Sequence, residues 1–250
     1  MAKTYIVIGS LGDRGKQRLD VLLPSLRSNS SDFNVLVNWQ VNQDQTPRGF
    51  AHAYNRLLTG AFSDSECQYA WILGDDVFPD PDCLHSTQTI MEQDVSIGAV
   101  FPIEFWNGGI TMIPFVNELV PIGRALESGP EQIEQIYAGM ACACISRAAW
   151  SAVGPLDESI GKGYAEDLDW GIRCWKAGFR VVNYRRAAFH HLRGATYGRL
   201  HEQGILTQAE CAANAERCKQ KWKGLGLWDD PAEVVLERLR ADRIRKLEAL

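Results

Sequence analysis

The sequence predicts a three-layer α/β fold built on a largely parallel central sheet. Short apolar runs typical of buried strands alternate with stretches of helical pattern, and this alternation is typical of strands connected by helices on both faces of a sheet. The chain has 250 residues, 46% of them hydrophobic and 23% charged. That composition is enough for one large domain, alone or with a small appendage.

The predicted elements follow one another in order. The first strand lies in TYIVIGS and its helix in RLDVLLPSL, and the second pair lies in FNVLVNW and GFAHAYNRLLTGAF. The third strand, YAWILG, ends directly before Asp75 and Asp76. The section from Gly98 to Tyr137 is rich in Gly, Pro and aromatic residues, which predicts loops and short strands over the sheet. GMACACISRAAW then predicts a strand that leads into a helix.

A further helix and strand are predicted in GYAEDLDWGIRCWKAGFRVVNY. Apolar residues recur there at helical spacing, and Gly178 is placed to end the helix before a β-rich run. Glu166, Asp167 and Asp169 crowd the start of this helix. Acidic residues at a helix N-terminus interact favourably with the helix dipole, so in isolation this cluster is explained by structure.

Charge and cysteine content limit the possible partners. A net charge of -5 and a pI near 5.6 give no general attraction to nucleic acid, so a phosphate ligand would have to be held by local groups. The seven cysteines are scattered without the paired spacing of a zinc site, which indicates reduced thiols. No basic leader and no membrane-spanning run is present. We expect a cytoplasmic protein, with peripheral membrane contact as the alternative.

Asp75 and Asp76 are two like charges at the carboxyl end of a predicted strand, where open α/β sheets bind their ligands. Each resists desolvation unless a cation or a hydrogen-bond donor compensates it. A polar turn ahead of Pro79 and Pro81 explains them equally well in isolation. The ordered combination of several segments favours a functional interpretation.

Four segments, taken in order, resemble the inverting glycosyltransferases of the GT-A fold, in particular the family 2 or rhamnosyltransferase-like group. They are IVIGS with VLVNW and RGFAHAYNRLL, then WILGDDV, then VGPLDESIGKGYAEDLDWGIRCWKAGFRV, and finally HHLRGAT. The resemblance covers roughly Tyr5 to Thr196. It implies a three-layer GT-A fold with a mostly parallel sheet, spanning residues 1–204, followed by a C-terminal helical extension over residues 205–250.

The resemblance implies a metal-dependent, hexosyltransferase-type enzyme that moves a sugar from a nucleotide-diphospho-sugar to a hydroxyl of a glycan or another acceptor. Asp76 and His191 would be ligands of Mn²⁺ or Mg²⁺, with His190 as the alternative to His191. Asp167 would be the general base that takes the acceptor proton, and Glu166 would orient the acceptor.

The remaining predicted contacts are with the donor. Asp75 is expected at the ribose or at an ion-bound water, because adjacent residues of a strand point to opposite faces. The other candidates for the nucleotide or diphosphate are Ser10, Arg14, Asn38 and Arg48.

Two positions depart from the pattern of many relatives. Gly74 stands where the acidic motif often begins with a carboxylate, and Asn38 stands where the second strand often ends in an Asp that contacts the base. An amide can still form hydrogen bonds with a pyrimidine edge. These two departures therefore affect the prediction of which nucleotide is bound more than the prediction of the class of reaction.

Other classes of protein share parts of this sequence pattern. GSLGDRGKQ is not a P-loop, because five residues separate Gly9 from Gly15 and Gln17 stands where Ser or Thr should bind magnesium. A sugar-1-phosphate nucleotidyltransferase would share the sheet and the acidic motif but would leave AEDLDW without a role. A non-catalytic nucleotide-sugar or carbohydrate-binding module on the same fold stays open as the alternative.

The C-terminal part, Thr207 to Leu250, is mostly helical in pattern, with Asp230 as the predicted cap and Pro231 as the first residue of the last helix. This helix has one apolar side and is otherwise basic. Packing on the catalytic domain with a solvated face is the favoured interpretation. Contact with a second copy of the chain or with an anionic membrane is the alternative.

Overall fold

The computed structural model has the predicted alternation of strands and helices. The described residues are 3–29, 32–40, 48–105, 110–113, 118–121, 130–192, 204 and 206–249. In chain order the elements are β1 (Lys3–Leu11), α1 (Gly12–Asn29), β2 (Asn34–Gln40), α2 (Phe50–Ser63), β3 (Cys67–Gly74), β4 (Val77–Pro79), α3 (Cys83–Gln93), β5 (Ile97–Phe105), β6 (Ile110–Ile113), β7 (Glu118–Pro121), β8 (Gln132–Glu134), β9 (Cys142–Ser146), α4 (Arg147–Val153), α5 (Glu166–Lys176), β10 (Arg180–His191), α6 (Gln208–Lys221), a 3₁₀ turn (Lys223–Leu225) and α7 (Ala232–Glu248).

Eight strands form one mixed sheet in the order β2-β1-β3-β9-β5-β10-β4, with β8 also paired to β10. Strands β1, β2, β3, β5 and β10 run in one direction, and β4, β8 and β9 run in the other. The central sheet is therefore mostly parallel, as predicted. Strands β6 and β7 form a separate antiparallel pair.

Apolar side chains cover both faces of the sheet. Along β1, Val7 belongs to one core cluster, whereas Ile6 and Ile8 belong to the other, as the two-residue period of a strand requires. The first cluster includes residues of α2, α4, α5, α6 and α7, and the second includes residues of α1 and α3. A sheet with helices on both faces is the predicted three-layer arrangement.

The prediction of loops and short strands between Gly98 and Tyr137 is wrong for its first part. Residues of β5 form a nine-residue strand inside the sheet, and all but one of them are buried. Gly98 is packed against α5, because a Cβ there would lie 2.6 Å from the Sγ atom of Cys174. Pro102 lies beyond Val100, where the pairing of β5 with β9 ends, and faces Tyr184 in the pairing with β10. The predicted loop residues 106–109 lie outside the described residues.

Helix α5 begins at Glu166, as predicted. The two residues before it, Tyr164 and Ala165, both have φ of 71°, a conformation that costs a non-glycine residue about 1–3 kcal/mol. Within the helix, a Cβ at Gly171 would lie 2.1 Å from the carbonyl oxygen of Ile136. The helix can therefore approach the segment before β9 this closely only with glycine at this position.

Helix α7 packs on the domain, in agreement with the favoured interpretation. Val235 and Leu239 are buried in the core cluster that contains residues of α5, and Lys176 of α5 forms an ion pair with Asp242 at 2.6 Å. The helix starts one residue later than predicted, with Pro231 at the N-cap. The boundary at residue 204 stays a prediction. No helix within the described residues is long and apolar enough to cross a bilayer.

Candidate active site

Asp75 and Asp76 form the turn between β3 and β4, and both are buried. The backbone N–H of Gly74 donates a hydrogen bond to the carbonyl oxygen of Ala141 at 3.0 Å. A Cβ at Gly74 would lie 2.7 Å from Oδ1 of Asp76. Gly74 therefore leaves the space that the Asp76 side chain occupies.

The buried carboxylate of Asp75 accepts hydrogen bonds from two side chains of α1 and β1. The hydroxyl of Ser10 donates to its Oδ2 at 2.6 Å, and the guanidinium of Arg18 donates to both carboxylate oxygens at 2.9–3.1 Å. Burial raises the pKa of Asp75, and the hydrogen bonds from Arg18 and Ser10 oppose that rise. Gly15 leaves room for this network, because a Cβ there would lie 2.3 Å from the Ser10 hydroxyl.

Arg18 was missed by the sequence analysis, which selected Arg14 on the same helix. The two arginines are four residues apart and so lie on one face of α1, a spacing that could have identified Arg18. Arg14 and Arg48 are exposed, and none of the described hydrogen bonds or ion pairs joins either of them to the acidic pair. The backbone of Asn38 pairs with β1 opposite Gly9, but its side chain lies outside the described part of the structure.

Asp76 lies beside His191 because β4 pairs antiparallel with the end of β10. The Oδ1 atom of Asp76 is 3.4 Å from Nε2 of His191, and Nδ1 of the same ring is 2.7 Å from Oε1 of Glu104 on β5. Burial alone would lower the pKa of His191, but the hydrogen bonds with Asp76 and Glu104 raise it to about 9. His190, the alternative ligand, is largely exposed and lies 3.3 Å from Asp80. The structure thus brings His191 to Asp76.

The donor atoms of this cluster fit a divalent ion that is shared with a bound ligand. Within the described residues, no group of three or more His, Cys, Asp or Glu side chains is arranged to hold an ion. Two ligands at about 2.1 Å from one ion can lie about 3 Å apart, close to the separation of Asp76 and His191. The carboxylate of Glu104 on the other ring nitrogen is the usual outer partner of a metal-binding histidine. A carboxylate and an imidazole suit Mn²⁺ better than Mg²⁺.

Glu166 and Asp167 form a second pair of carboxylates at the start of α5. Glu166 is buried, and its Oε2 atom has no hydrogen-bond partner among the described residues. Burial, reinforced by the charge of Asp167, raises the pKa of Glu166 to about 8. Burial also raises the pKa of Asp167, whose Oδ1 atom accepts a hydrogen bond from the N–H of Leu168 at 2.8 Å. Both carboxyl groups therefore bind a proton more tightly than exposed carboxyl groups do.

The third acid of the cluster, Asp169, has a different role. It is fully buried, and its carboxylate accepts hydrogen bonds from Arg173 and Trp222, both at 2.8 Å. Lys221 pairs with it at 2.7 Å. Asp169 therefore connects α5 to the end of α6 and is structural, in line with the helix-start explanation of the cluster.

One short segment joins the two carboxylate pairs. The N–H of Ala138 donates to the carbonyl oxygen of Asp167 at 3.2 Å, and the carbonyl oxygen of Ala141 accepts from Gly74 at 3.0 Å. Three peptide units span at most about 11 Å. This segment therefore limits the distance between the start of α5 and the end of β3, directly before the Asp75–Asp76 turn.

The loop before Glu166 is held by two buried asparagines. Asn55 of α2 exchanges hydrogen bonds with the backbone of Leu156 at 2.8 and 2.9 Å. Asn214 of α6 donates to the carbonyl oxygen of Gly163 at 2.5 Å. Asn55 belongs to a segment that carried the resemblance, whereas Asn214 was missed because it lies in the part of the chain that the resemblance does not cover.

No protein-family model matches the sequence, and no curated protein matches it. Solved structures share its fold. GalNAc-T7 with UDP, GalNAc and Mn²⁺ superposes with a TM-score of 0.56 at 13% identity, over 76% of this chain and 43% of that chain. The mannosyltransferase PcManGT from Pyrobaculum calidifontis, with GDP-Man and Mn²⁺, gives 0.54 at 12% identity, over 99% and 74% of the two chains. The catalytic domain of Drosophila β1,4-galactosyltransferase 7, with xylobiose, gives 0.50 at 13% identity, over 76% and 71%.

At this low identity the similarity establishes the fold alone. The chain has the GT-A fold of these glycosyltransferases, as the sequence predicted. The chain corresponds to less than half the length of the GalNAc-T7 chain. The narrower resemblance to the rhamnosyltransferase-like group stays a prediction.

Proposed function

We propose that the chain is a metal-dependent inverting glycosyltransferase that moves a sugar from a nucleotide-diphospho-sugar to an acceptor hydroxyl. The observation that carries the proposal is the presence of two different carboxylate pairs connected by one short segment. Asp76 of the first pair lies beside His191, whereas Glu166 of the second has a buried oxygen without a partner among the described residues. Similarly folded enzymes have been solved with UDP and Mn²⁺ or with GDP-Man and Mn²⁺, which supports the donor class.

The proposed reaction is a single displacement. The acceptor oxygen forms a bond to the anomeric carbon of the donor sugar while the bond from that carbon to the diphosphate oxygen breaks, which inverts the anomeric configuration. The acceptor proton passes to the carboxylate of Asp167, whose orientation is fixed by the N–H of Leu168. Glu166 binds and orients the acceptor through its unpartnered oxygen.

Asp76 and His191 would hold the divalent ion. When bound, Mn²⁺ or Mg²⁺ neutralises charge on the departing diphosphate. Asp75, which Ser10 and Arg18 hold in place, is proposed to contact the ribose. Contacts with the nucleobase or diphosphate are proposed for Arg14, Asn38 and Arg48.

The C-terminal helix α7 is proposed to pack on the domain with one solvated face. Two arginines of α7 contact other parts of the chain: Arg240 pairs with Glu134 at 2.6 Å, and Arg243 donates to the carbonyl oxygen of Gly178 at 2.9 Å. These contacts favour packing over membrane docking. A contact with a second copy or with a membrane would use the exposed Ile244 and Leu247.

Metal-dependent donor binding tests the proposal. Asp76→Ala should weaken donor binding in Mn²⁺ at least about tenfold while the fold survives, because one of two metal ligands is lost and the repulsion with Asp75 is relieved. Thermal shift with a panel of nucleotide sugars, in Mn²⁺ and in chelator, identifies the donor, and the binding titration is then repeated on the variant.

The matched control is Asp20→Ala, which removes an exposed carboxylate from α1 and should leave donor binding unchanged. Undiminished binding of a donor in chelator would contradict a role for the metal. Binding without transfer or hydrolysis of the donor would indicate a non-catalytic module on the same fold.

A further inference from the structure

The pairing of β5 with β10 contains an irregularity next to the candidate metal ligands. Tyr184 pairs with Pro102, but the next pairs are Ala188 with Ile103 and Phe189 with Glu104. Three residues of β10 are therefore inserted without partners on β5. Bulges of this kind re-aim side chains beside active sites.

The insertion determines which side chain of β10 contacts Glu104. If the register before the insertion continued, residue 186 would lie opposite Glu104 instead of Phe189. With the insertion, His191 lies two residues beyond the partner of Glu104 and thus on the same face of the sheet. The extra residues bring the ring of His191 within 2.7 Å of the Glu104 carboxylate.

Glu104 is an unusual residue for its position. It is the one residue of β5 that is not fully buried and the one that carries a charge, in the apolar run IGAVFPIEF. The strands on which Glu104 and His191 lie are already joined by eight backbone pairs. Strand pairing therefore does not require the side-chain contact between Glu104 and His191.

We infer that Glu104 is a positioning residue that accepts the Nδ1–H of His191 and so directs the lone pair of Nε2 toward an ion held with Asp76. A neutral imidazole has one donor and one acceptor nitrogen, and the partner of the first decides which atom is left to bind metal. The inference rests on the proposed function, because the ion is the one that the donor diphosphate shares. Glu104 itself stays outside the metal coordination.

Two other described histidine–carboxylate pairs lack this geometry. His52 lies 3.0 Å from Glu158, and His85 lies 2.9 Å from Asp32. In each pair one ring nitrogen faces a carboxylate, whereas His191 has a carboxylate at both nitrogens. The His85 pair therefore offers a matched control for the His191 pair.

The experiment is a Mn²⁺ titration of the full chain, with free Mn²⁺ measured by electron paramagnetic resonance and with saturating UDP or GDP as the probe. Glu104→Leu removes the hydrogen-bond acceptor, whereas Glu104→Gln removes the charge and keeps an acceptor oxygen. We expect Glu104→Leu to weaken Mn²⁺ binding about 10- to 100-fold and Glu104→Gln to weaken it less than about threefold. Asp32→Leu should have no effect.

Three outcomes distinguish a failure of the role inferred for Glu104 from a failure of the proposed function. If Glu104→Leu binds Mn²⁺ like the unaltered protein, or if Glu104→Gln loses as much as Glu104→Leu, the positioning role is overturned while metal binding stands. If the unaltered protein binds no Mn²⁺ with either nucleotide, the proposed function fails as well. Thermal unfolding without metal checks the fold of each variant, and Glu104→Ala replaces Glu104→Leu if the latter does not fold.

Discussion

The two carboxylate pairs are similar in sequence but differ in what surrounds them. Asp75 and Asp76 follow a strand, and each has a polar partner: Arg18 with Ser10 for the first and His191 for the second. Glu166 and Asp167 begin a helix, and Glu166 has an oxygen with no partner among the described residues. Each carboxylate of the first pair thus has a side-chain partner, whereas in the second pair Asp167 has only the backbone N–H of Leu168 among the described hydrogen bonds.

This difference separates a binding role from a proton-transfer role. A cation or donor beside a carboxylate favours its charged form, which can attract a metal ion or a hydroxyl. At Asp75 the hydrogen bonds from Arg18 and Ser10 act in this direction and oppose the rise in pKa that burial causes. A buried carboxylate without such a partner binds a proton more tightly, as the pKa of about 8 for Glu166 shows. Raised pKa values of this kind are frequent among groups that take part in acid–base catalysis.

The largest expected effect is on turnover. Asp167→Asn keeps the shape of the side chain but removes the proton acceptor, so we expect kcat to fall about 10²- to 10⁴-fold. The donor Kd should barely change, because the loss affects the transition state and not the ground state. Steady-state kinetics and donor titration on the same preparation measure both quantities.

Glu166→Gln is the matched comparison for this variant. Normal turnover in Asp167→Asn together with loss of turnover in Glu166→Gln would place the base at Glu166. Normal turnover in both variants, or a product with the anomeric configuration of the donor, would contradict the proposed single displacement.

The next largest effect is expected on the free energy of unfolding, through the Asp75–Asp76 pair. Arg18→Leu leaves the buried carboxylate of Asp75 without its cation, which should lower the free energy of unfolding by about 3–5 kcal/mol. Arg27→Leu, an exposed arginine on the same helix, should change it by less than about 0.5 kcal/mol. Urea denaturation measures both. Equal effects would show that the Arg18–Asp75 pair adds nothing to stability.

The sequence predicted most of the fold because its signals are local. The alternation of strands and helices, the start of α5 at Glu166 and the turn at Asp75 all follow from patterns within about ten residues. Strand β5 was missed because Gly98 and Pro102 are typical of loops. Their places in the sheet depend on packing against α5 and on the end of the pairing with β9, neither of which a local pattern contains.

The candidate site was predictable only in part, for the same reason. The resemblance led to Asp76 and His191, which the structure brings together. Arg18 lies 57 residues from its partner Asp75, and Glu104 lies 87 residues from His191. Partners at such separations are brought together by the topology of the sheet, so a single sequence gives little sign of them.

The smallest expected effect concerns the pH dependence of stability. The pKa of Glu166 is raised from its ordinary value of 4.5 to about 8 in the folded protein. The folded state therefore binds this proton more tightly than the unfolded state, and the resulting stability is complete below pH 4.5 and is lost as the pH rises to about 8. Glu166→Gln should abolish this loss, because glutamine resembles the protonated acid and does not titrate.

We expect the unfolding free energy of Glu166→Gln to gain about 3 kcal/mol over that of the unaltered protein between pH 6 and pH 9. Glu237→Gln is the matched control, because it removes an exposed carboxylate of α7 that is not paired with a histidine in any described ion pair. Its offset from the unaltered protein should be constant from pH 6 to pH 9. A constant offset for Glu166→Gln as well would mean that Glu166 is already ionised at pH 6, and the contrast between the two carboxylate pairs would then lose its electrostatic basis.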